Sequence, residues 1–135
     1  MSSPLFIHGT TFKDQLYNDI RDITDIEYFV NLRQDLESLW QDYSPYADPG
    51  FRESMPLDIN ARVWEMYLTC ALLERQLPVK PKQSADGPDV LIEQGVSRVW
   101  IEAIAPSGGD EGNPDRVPEM PGAWRHSQLT CRAKT

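Results

Sequence analysis

The sequence predicts a mixed α/β domain of the α+β type, in which N-terminal helices and one long buried helix precede a β-hairpin. Apolar residues recur at helical spacing between positions 11 and 77. From position 89 to 105 the pattern changes to short β-prone runs separated by a turn. A chain of 135 residues is long enough to bury a core without disulfides or a metal.

Two helices are predicted in the first third of the chain. Residues 11–23 carry four large apolar side chains at helical spacing. Thr24 then opens a second helix, with Glu27 three residues later in the arrangement of a capping box. This helix is predicted to extend through Asp42 and to present a broad apolar face. The turn-rich segment 43–51 connects it to the next element.

The long helix is the strongest predicted element, with Asp58 as its N-cap and Leu77, just before a proline, as its end. Its apolar residues cover almost the whole circumference, so we expect it to be buried between other layers. A narrow polar stripe interrupts them. Because an unpaired buried charge is costly, these side chains require partners. The stripe consists of Arg62, Glu65, Thr69 and Gln76.

The predicted hairpin comprises a strand over 89–92, a turn over 93–95 and a strand over 96–105. Side chains alternate between the two faces of a strand, so Glu102 shares a partly apolar face with Trp100 and Ile104. The Pro/Gly-rich sequence that follows has no periodicity and is predicted to be disordered. The predicted organisation is an acidic helical region (1–57), a helix-and-hairpin core (58–107) and a disordered tail (108–135).

Charge and composition narrow the classes of partner. The net charge is −8, and residues 1–60 hold 11 acidic and 4 basic side chains. An acidic front half argues against tight non-specific nucleic-acid binding, so a nucleic-acid partner has weak support from charge. No apolar run is long enough for a membrane span, and no membrane partner is expected. Two cysteines provide neither a disulfide framework nor a zinc set, which favours a cytoplasmic protein.

Three acidic residues form the candidate site: Glu65 on the long helix, Asp89 at the head of the first strand and Glu102 in the second. In an antiparallel hairpin the head of the first strand lies near the later part of the second, which brings Asp89 and Glu102 together. Carboxylates on adjacent elements suit Mg²⁺ or Mn²⁺. We therefore expect Mn²⁺ binding that Asp89→Ala and Glu102→Ala each abolish.

Each acid also has a purely structural interpretation. Glu65 is three residues from Arg62, the spacing of an ion pair on a helix. Asp89 follows Gly-Pro, where aspartate commonly serves turn geometry. Glu102 lies on the same face of the strand as Arg98, four residues earlier, and the two could form an ion pair. These structural interpretations remain open as alternatives to the metal site.

The order of these segments resembles the PD-(D/E)xK nuclease superfamily, which has the restriction-endonuclease-like fold. The segments are the ARxWEMYL helix, the GPD strand and the WIEAxAP strand, and they are similar to segments of uncharacterised bacterial proteins. The resemblance covers residues 60–107. It implies a nuclease that acts on phosphodiesters with a divalent metal, in which Asp89 and Glu102 bind the metal and Glu65 supports them.

The sequence departs from this superfamily in two respects. The superfamily's lysine would fall at Ile104, so Lys80 or Lys82 is the candidate replacement as a catalytic residue. The fold normally continues with a helix and another strand, whereas this chain enters Pro/Gly-rich sequence and looks C-terminally shortened. The sheet is then expected to have an exposed edge, which favours self-association. The alternative function is a non-catalytic protein-interaction or scaffold fragment.

Overall fold

The computed structural model describes residues 2–106 and 108–117 and has the predicted α+β class. Within these residues, four α-helices and two short 3₁₀ helices accompany an antiparallel sheet of three strands. The α-helices are α1 (Gln15–Asp22), α2 (Glu27–Tyr43), α3 (Phe51–Ser54) and α4 (Ile59–Glu74). The strands are β1 (Val79–Lys80), β2 (Val90–Gln94) and β3 (Ser97–Ile101).

Helix α1 begins later than the apolar pattern indicates because Asp14 caps it. The Asp14 carboxylate accepts hydrogen bonds from the backbone N–H groups of Leu16 and Tyr17. Its second oxygen accepts a bond from the N–H of Ile59, the first residue of α4. One side chain therefore satisfies donors at the starts of two helices.

Helix α2 lacks the capping box that the sequence predicts. It begins at Glu27, its N-cap is Ile26, and no side chain caps it. Thr24 lies two residues before that N-cap, outside the geometry a cap requires. The predicted apolar face is nevertheless present, since Leu36 and Trp40 are buried against the rest of the core.

Helix α4 has the predicted N-cap, because the Asp58 carboxylate accepts a hydrogen bond from the Ala61 N–H. It ends at Glu74, three residues short of the predicted end, and the chain turns at Gln76 with φ of 59°. The expectation that α4 is covered on all sides is wrong. Trp64 is 41% exposed and Tyr67 is 54% exposed, and their rings stack on each other at the surface.

The sheet is a meander in the order β1-β2-β3. The predicted hairpin is present, but its bounds differ: β2 extends to Gln94, β3 ends at Ile101, and the turn is formed by Gly95, with φ of 62°, and Val96. The sequence predicts a loop where β1 lies, because two residues between Pro78 and Pro81 carry no recognisable strand pattern. Val79 pairs with Ile92 in one ladder, and Val90 pairs with Ile101 in the other.

The core joins the predicted helical region to α4. Residues 1–105 form one compact unit, whose largest fully buried side chains come from both predicted regions, 1–57 and 58–107. A second unit begins at Pro106, and its described residues 108–117 contain turns. The rest of the predicted tail, 118–135, lies outside the described residues. None of the helices described has the length and apolar character that crossing a membrane requires.

Candidate functional site

Glu65 occupies the centre of a buried ionic cluster. It lies on the face of α4 turned inward, and it is 1% exposed. Its Oε1 accepts hydrogen bonds from the Tyr43 hydroxyl at 3.2 Å and from the Lys82 ammonium at 3.3 Å. The partners that the polar stripe requires at Glu65 thus come from α2 and from the loop after β1.

The second oxygen of Glu65 is less completely satisfied. Arg62 Nη1 lies 2.9 Å from Oε2, close enough for an ion pair, but its N–H groups are not aligned for a hydrogen bond to that oxygen. One helical turn further, the Thr69 hydroxyl is also buried without a hydrogen-bond partner among the described residues. Two adjacent buried polar groups therefore retain unused bonding capacity.

Lys82 connects the helix to the sheet. Its side chain is 10% exposed, and its ammonium lies 3.7 Å from Asp89 Oδ1 in addition to its bond with Glu65. The Lys82 backbone N–H donates to the Tyr46 carbonyl at 2.9 Å, which fixes the loop against the end of α2. The lysine is therefore held at both its backbone and its charged end.

Asp89 lies at the head of β2, immediately before the ladder begins. Its Oδ2 accepts a hydrogen bond of 2.7 Å from the backbone N–H of Ala103. The outermost pair of the ladder is Val90 with Ile101, so one further step of the same register sets Asp89 across from Glu102. Asp89 is thus hydrogen-bonded to the backbone of the residue that follows Glu102.

The remaining candidate residues lie apart from this cluster. Glu102 is exposed, and within the described residues it has no hydrogen bond or ion pair. Its proposed partner Arg98 instead pairs with Glu93 across the hairpin at 2.8 Å. Lys80 is exposed on β1. Of the two candidate lysines, Lys82 alone reaches Glu65 and Asp89.

Tyr43 is a member of the cluster that the sequence did not indicate. It lies at the end of α2 and is buried, where the sequence placed it in the connector. Burial, and then the negative charge of Glu65, raise the pKa of the Tyr43 phenol well above its ordinary value. The phenol therefore remains a proton donor to Glu65 across the neutral and mildly alkaline range.

An open cleft connects Lys82 to solvent. It has a volume of about 420 Å³ and is formed by the loop between β1 and β2 together with the outer face of β2. Its lining includes Lys80, Lys82, Ser84, Asp86, Leu91 and Glu93. The lining is balanced in charge, because Asp86 and Glu93 accompany the two lysines, and Lys82 is the residue of the buried cluster that lines it.

The donor set can be tested against the metal that the resemblance implies. Among residues 2–106 and 108–117, no group of three or more His, Cys, Asp or Glu side chains is arranged to hold a metal ion. Glu65 and Asp89 do share one cation, the Lys82 ammonium, and Glu65 Oε2 has no hydrogen bond. Mg²⁺ commonly uses one or two protein carboxylates together with water and substrate oxygens, so two acids fit this requirement.

Comparisons with known proteins add no relative to this picture. No protein-family model, curated protein or solved structure matches the chain. The functional interpretation consequently depends on the geometry of the Glu65, Lys82 and Asp89 cluster.

Proposed function

We propose that the chain is a divalent-metal-dependent hydrolase of phosphodiesters, with a nuclease-like site at Glu65, Asp89 and Lys82. The observation that carries the proposal is the Lys82 ammonium, which contacts both carboxylates at 3.3 and 3.7 Å. A lysine beside two acids is the residue set that the resemblance implies, and here the lysine comes from the loop instead of position 104.

Mg²⁺ or Mn²⁺ would be held by Asp89 and Glu65, and Glu102 is the expected third ligand. The register that sets Glu102 across from Asp89 supports this role for an exposed side chain. When bound, the metal would polarise the phosphate and lower the pKa of the attacking water.

The protein side chains would position the substrate and its charge. Lys82 lines the open cleft, so its ammonium can pair with a phosphate oxygen once it leaves the carboxylates. Tyr43 and Arg62 hold the Glu65 carboxylate in one orientation. Asp89 is fixed by the Ala103 N–H, so its Oδ1 remains directed at the cluster.

Titration calorimetry with Mn²⁺ tests the proposal directly. We expect saturable binding to the wild type and a loss of at least about tenfold in affinity in Asp89→Asn and Glu65→Gln, because each removes a charged ligand. Asp86→Asn is the matched control, since it removes a carboxylate three residues from Asp89 that has no contact with the cluster. Circular dichroism verifies that each variant is folded.

Lys82→Met separates a catalytic lysine from a merely structural one. Removing the ammonium removes a competing cation, so Mn²⁺ should bind more tightly, while metal-dependent cleavage of single- and double-stranded DNA and RNA should be lost. Absence of Mn²⁺ binding in a folded wild type would overturn the proposal. Cleavage by Lys82→Met at the wild-type rate would remove the lysine from it.

The second candidate is a non-catalytic interaction module. It is favoured by the ion pairs already present, since Lys82 contacts both carboxylates, Arg62 pairs with Glu65, and Glu102 is exposed. In that case the ionic cluster connects α4 to the sheet and takes no ligand. The same titration distinguishes the two functions, because a structural cluster binds no Mn²⁺ in any variant.

A further inference from the structure

Strand β3 presents an unpaired edge with large exposed side chains. Within the part of the chain described, β2 pairs with one side of β3 and no strand pairs with the other. Trp100 on β3 is 66% exposed, Val96 in the turn before β3 is fully exposed, and Ile104, three residues after its end, is 76% exposed. An unpaired edge flanked by exposed apolar side chains is a template for pairing with another strand.

The backbone groups at this edge can be assigned from the hydrogen bonds of β2. The Glu93 N–H donates to the Pro78 carbonyl, so the backbone groups of Glu93 point towards β1 and away from β3. Glu93 pairs with Arg98, and Leu91 pairs with Trp100. Since antiparallel pairs alternate, the N–H and C=O groups of Arg98 and Trp100 point outward, to the open edge.

The side chains along β3 are self-complementary about Trp100. If a second copy of β3 lies antiparallel with Trp100 opposite Trp100, Arg98 of each copy faces Glu102 of the other. The same register sets Val96 opposite Ile104 at both ends. On the face that carries Trp100, every cross-strand pair is then aromatic with aromatic, cation with anion or aliphatic with aliphatic, and each of these pairings stabilises a sheet.

Other registers that keep the outward N–H and C=O groups hydrogen-bonded bring less complementary side chains together. Shifting one copy of β3 by two residues brings Arg98 opposite Trp100 and Val96 opposite Glu102. A further shift sets Arg98 against Arg98, which is repulsive. The Trp100 register also leaves Glu102, which has no ion pair among the described residues, facing a cation.

We propose that two copies of this chain pair through β3, antiparallel and in register at Trp100, to form a continuous six-stranded sheet. The contact is isologous, so it closes at a dimer and covers both open edges. It does not depend on the proposed hydrolase function. A carboxylate has two oxygens, so Glu102 could pair with Arg98 of the second copy and still offer an oxygen to a metal.

Charge reversal at β3 tests the contact between copies, and analytical ultracentrifugation in EDTA measures dimerisation. The protein concentration should extend to about 1 mM, because an interface formed by a single pair of strands is small and therefore weak. We expect the wild type to form dimers. Glu102→Arg should weaken dimerisation at least about tenfold, because two attractive pairs become repulsive. Adding Arg98→Glu together with Glu93→Arg, which keeps the ion pair between positions 93 and 98 inside each hairpin, should restore it, since the pairs between copies are then exchanged. Glu27→Arg, the same change of charge on an exposed side chain far from β3 in sequence, should have no effect.

A disulfide measures the register. In a Cys131→Ser background, Trp100→Cys should cross-link rapidly on mild oxidation, because opposed residues of a hydrogen-bonded pair have Cα atoms about 5.5 Å apart, within disulfide range. Arg98→Cys should not cross-link, since the two copies of position 98 are four residues apart in this register.

Three results would overturn the proposal. A wild type that stays monomeric throughout the concentration series has no such interface. Dimerisation that is equally strong in Glu102→Arg uses another surface. Cross-linking of Arg98→Cys as fast as that of Trp100→Cys would indicate a different pairing of the strands.

Discussion

At the scale of single residues, Glu65 illustrates how a buried charge is accommodated. Its carboxylate is removed from water, which is costly unless cations and donors surround it. Tyr43, Lys82 and Arg62 supply them from three different segments of the chain. Because the cluster combines elements far apart in sequence, it contributes to both stability and the proposed site.

The coupling between Glu65 and Lys82 is predicted to be large in a double-mutant cycle. Lys82→Met should lower the free energy of unfolding by about 1–3 kcal/mol, because it leaves the Glu65 carboxylate with fewer partners. In the Glu65→Gln background the same change should cost at least about 1 kcal/mol less. Urea unfolding measures all four proteins. Additive effects would mean that the pair does not interact.

The stability of the protein is predicted to fall between pH 9 and 11 partly because of Cys70. Burial, with smaller contributions from Asp42 and Glu74, raises the pKa of the Cys70 thiol from 9.0 to about 11. Over that interval the unfolded chain releases the proton while the folded chain retains it, so the free energy of unfolding decreases as the pH rises.

Cys70→Ala provides the comparison for this pH dependence. Urea unfolding of the variant should show a smaller decrease between pH 9 and 11 than the wild type, whatever its stability at neutral pH. The Tyr43 phenol, which titrates higher in the folded state than in the unfolded state, remains in both proteins. Parallel pH profiles would exclude the thiol as a contributor.

At the scale of elements, helix starts explain much of the arrangement of the N-terminal half. Asp14 caps α1 and also binds the first N–H of α4, so it holds the N-terminal ends of the two helices together. Asp58 caps α4 alone. By contrast, α2 begins without a side-chain cap and depends on the packing of its apolar face.

Asp14→Ala is predicted to cost more stability than Asp58→Ala. The first change should lower the free energy of unfolding by about 2 kcal/mol, because it removes the cap of α1 and also leaves the Ile59 N–H of α4 without its acceptor. The second should cost about 1 kcal/mol, the usual value of a single cap. Thermal and urea unfolding of both variants test this order. Equal losses would mean that the Asp14 bond to Ile59 contributes nothing.

At the scale of the whole molecule, residues 1–105 contain the core, the sheet and the candidate site. Helix α2 packs on α4 and α1 packs on α2, and the loop containing Lys82 contacts α4 through Glu65. The hairpin contributes to this unit through Val90, which is buried, and through the Asp89 bond to Ala103.

A chain ending at Ala105 is therefore predicted to unfold in the same transition as the full sequence. Its midpoint should lie within about 3 °C, less than the shift that 1 kcal/mol produces in a domain of this size. A chain ending at Gln94, which lacks β3 and Ala103, is the comparison and should be clearly less stable. Differential scanning calorimetry measures both. A large loss in the longer chain would assign part of the core to later residues.

Local sequence patterns were sufficient for the elements that form within a short stretch of chain. The α4 cap at Asp58, the buried position of Glu65 and the β2–β3 hairpin follow from capping chemistry, helical spacing and alternation, all of which act between near neighbours. They determined the α+β class.

The tertiary structure decided what distant segments do to one another. It selected Lys82 over Lys80 and brought Tyr43 to Glu65, because burying a carboxylate requires whichever donors the packed chain can bring within reach. It also left Trp64 and Trp100 exposed, since an apolar residue is covered only where another element packs against it. Sequence spacing carries no information on those long-range contacts.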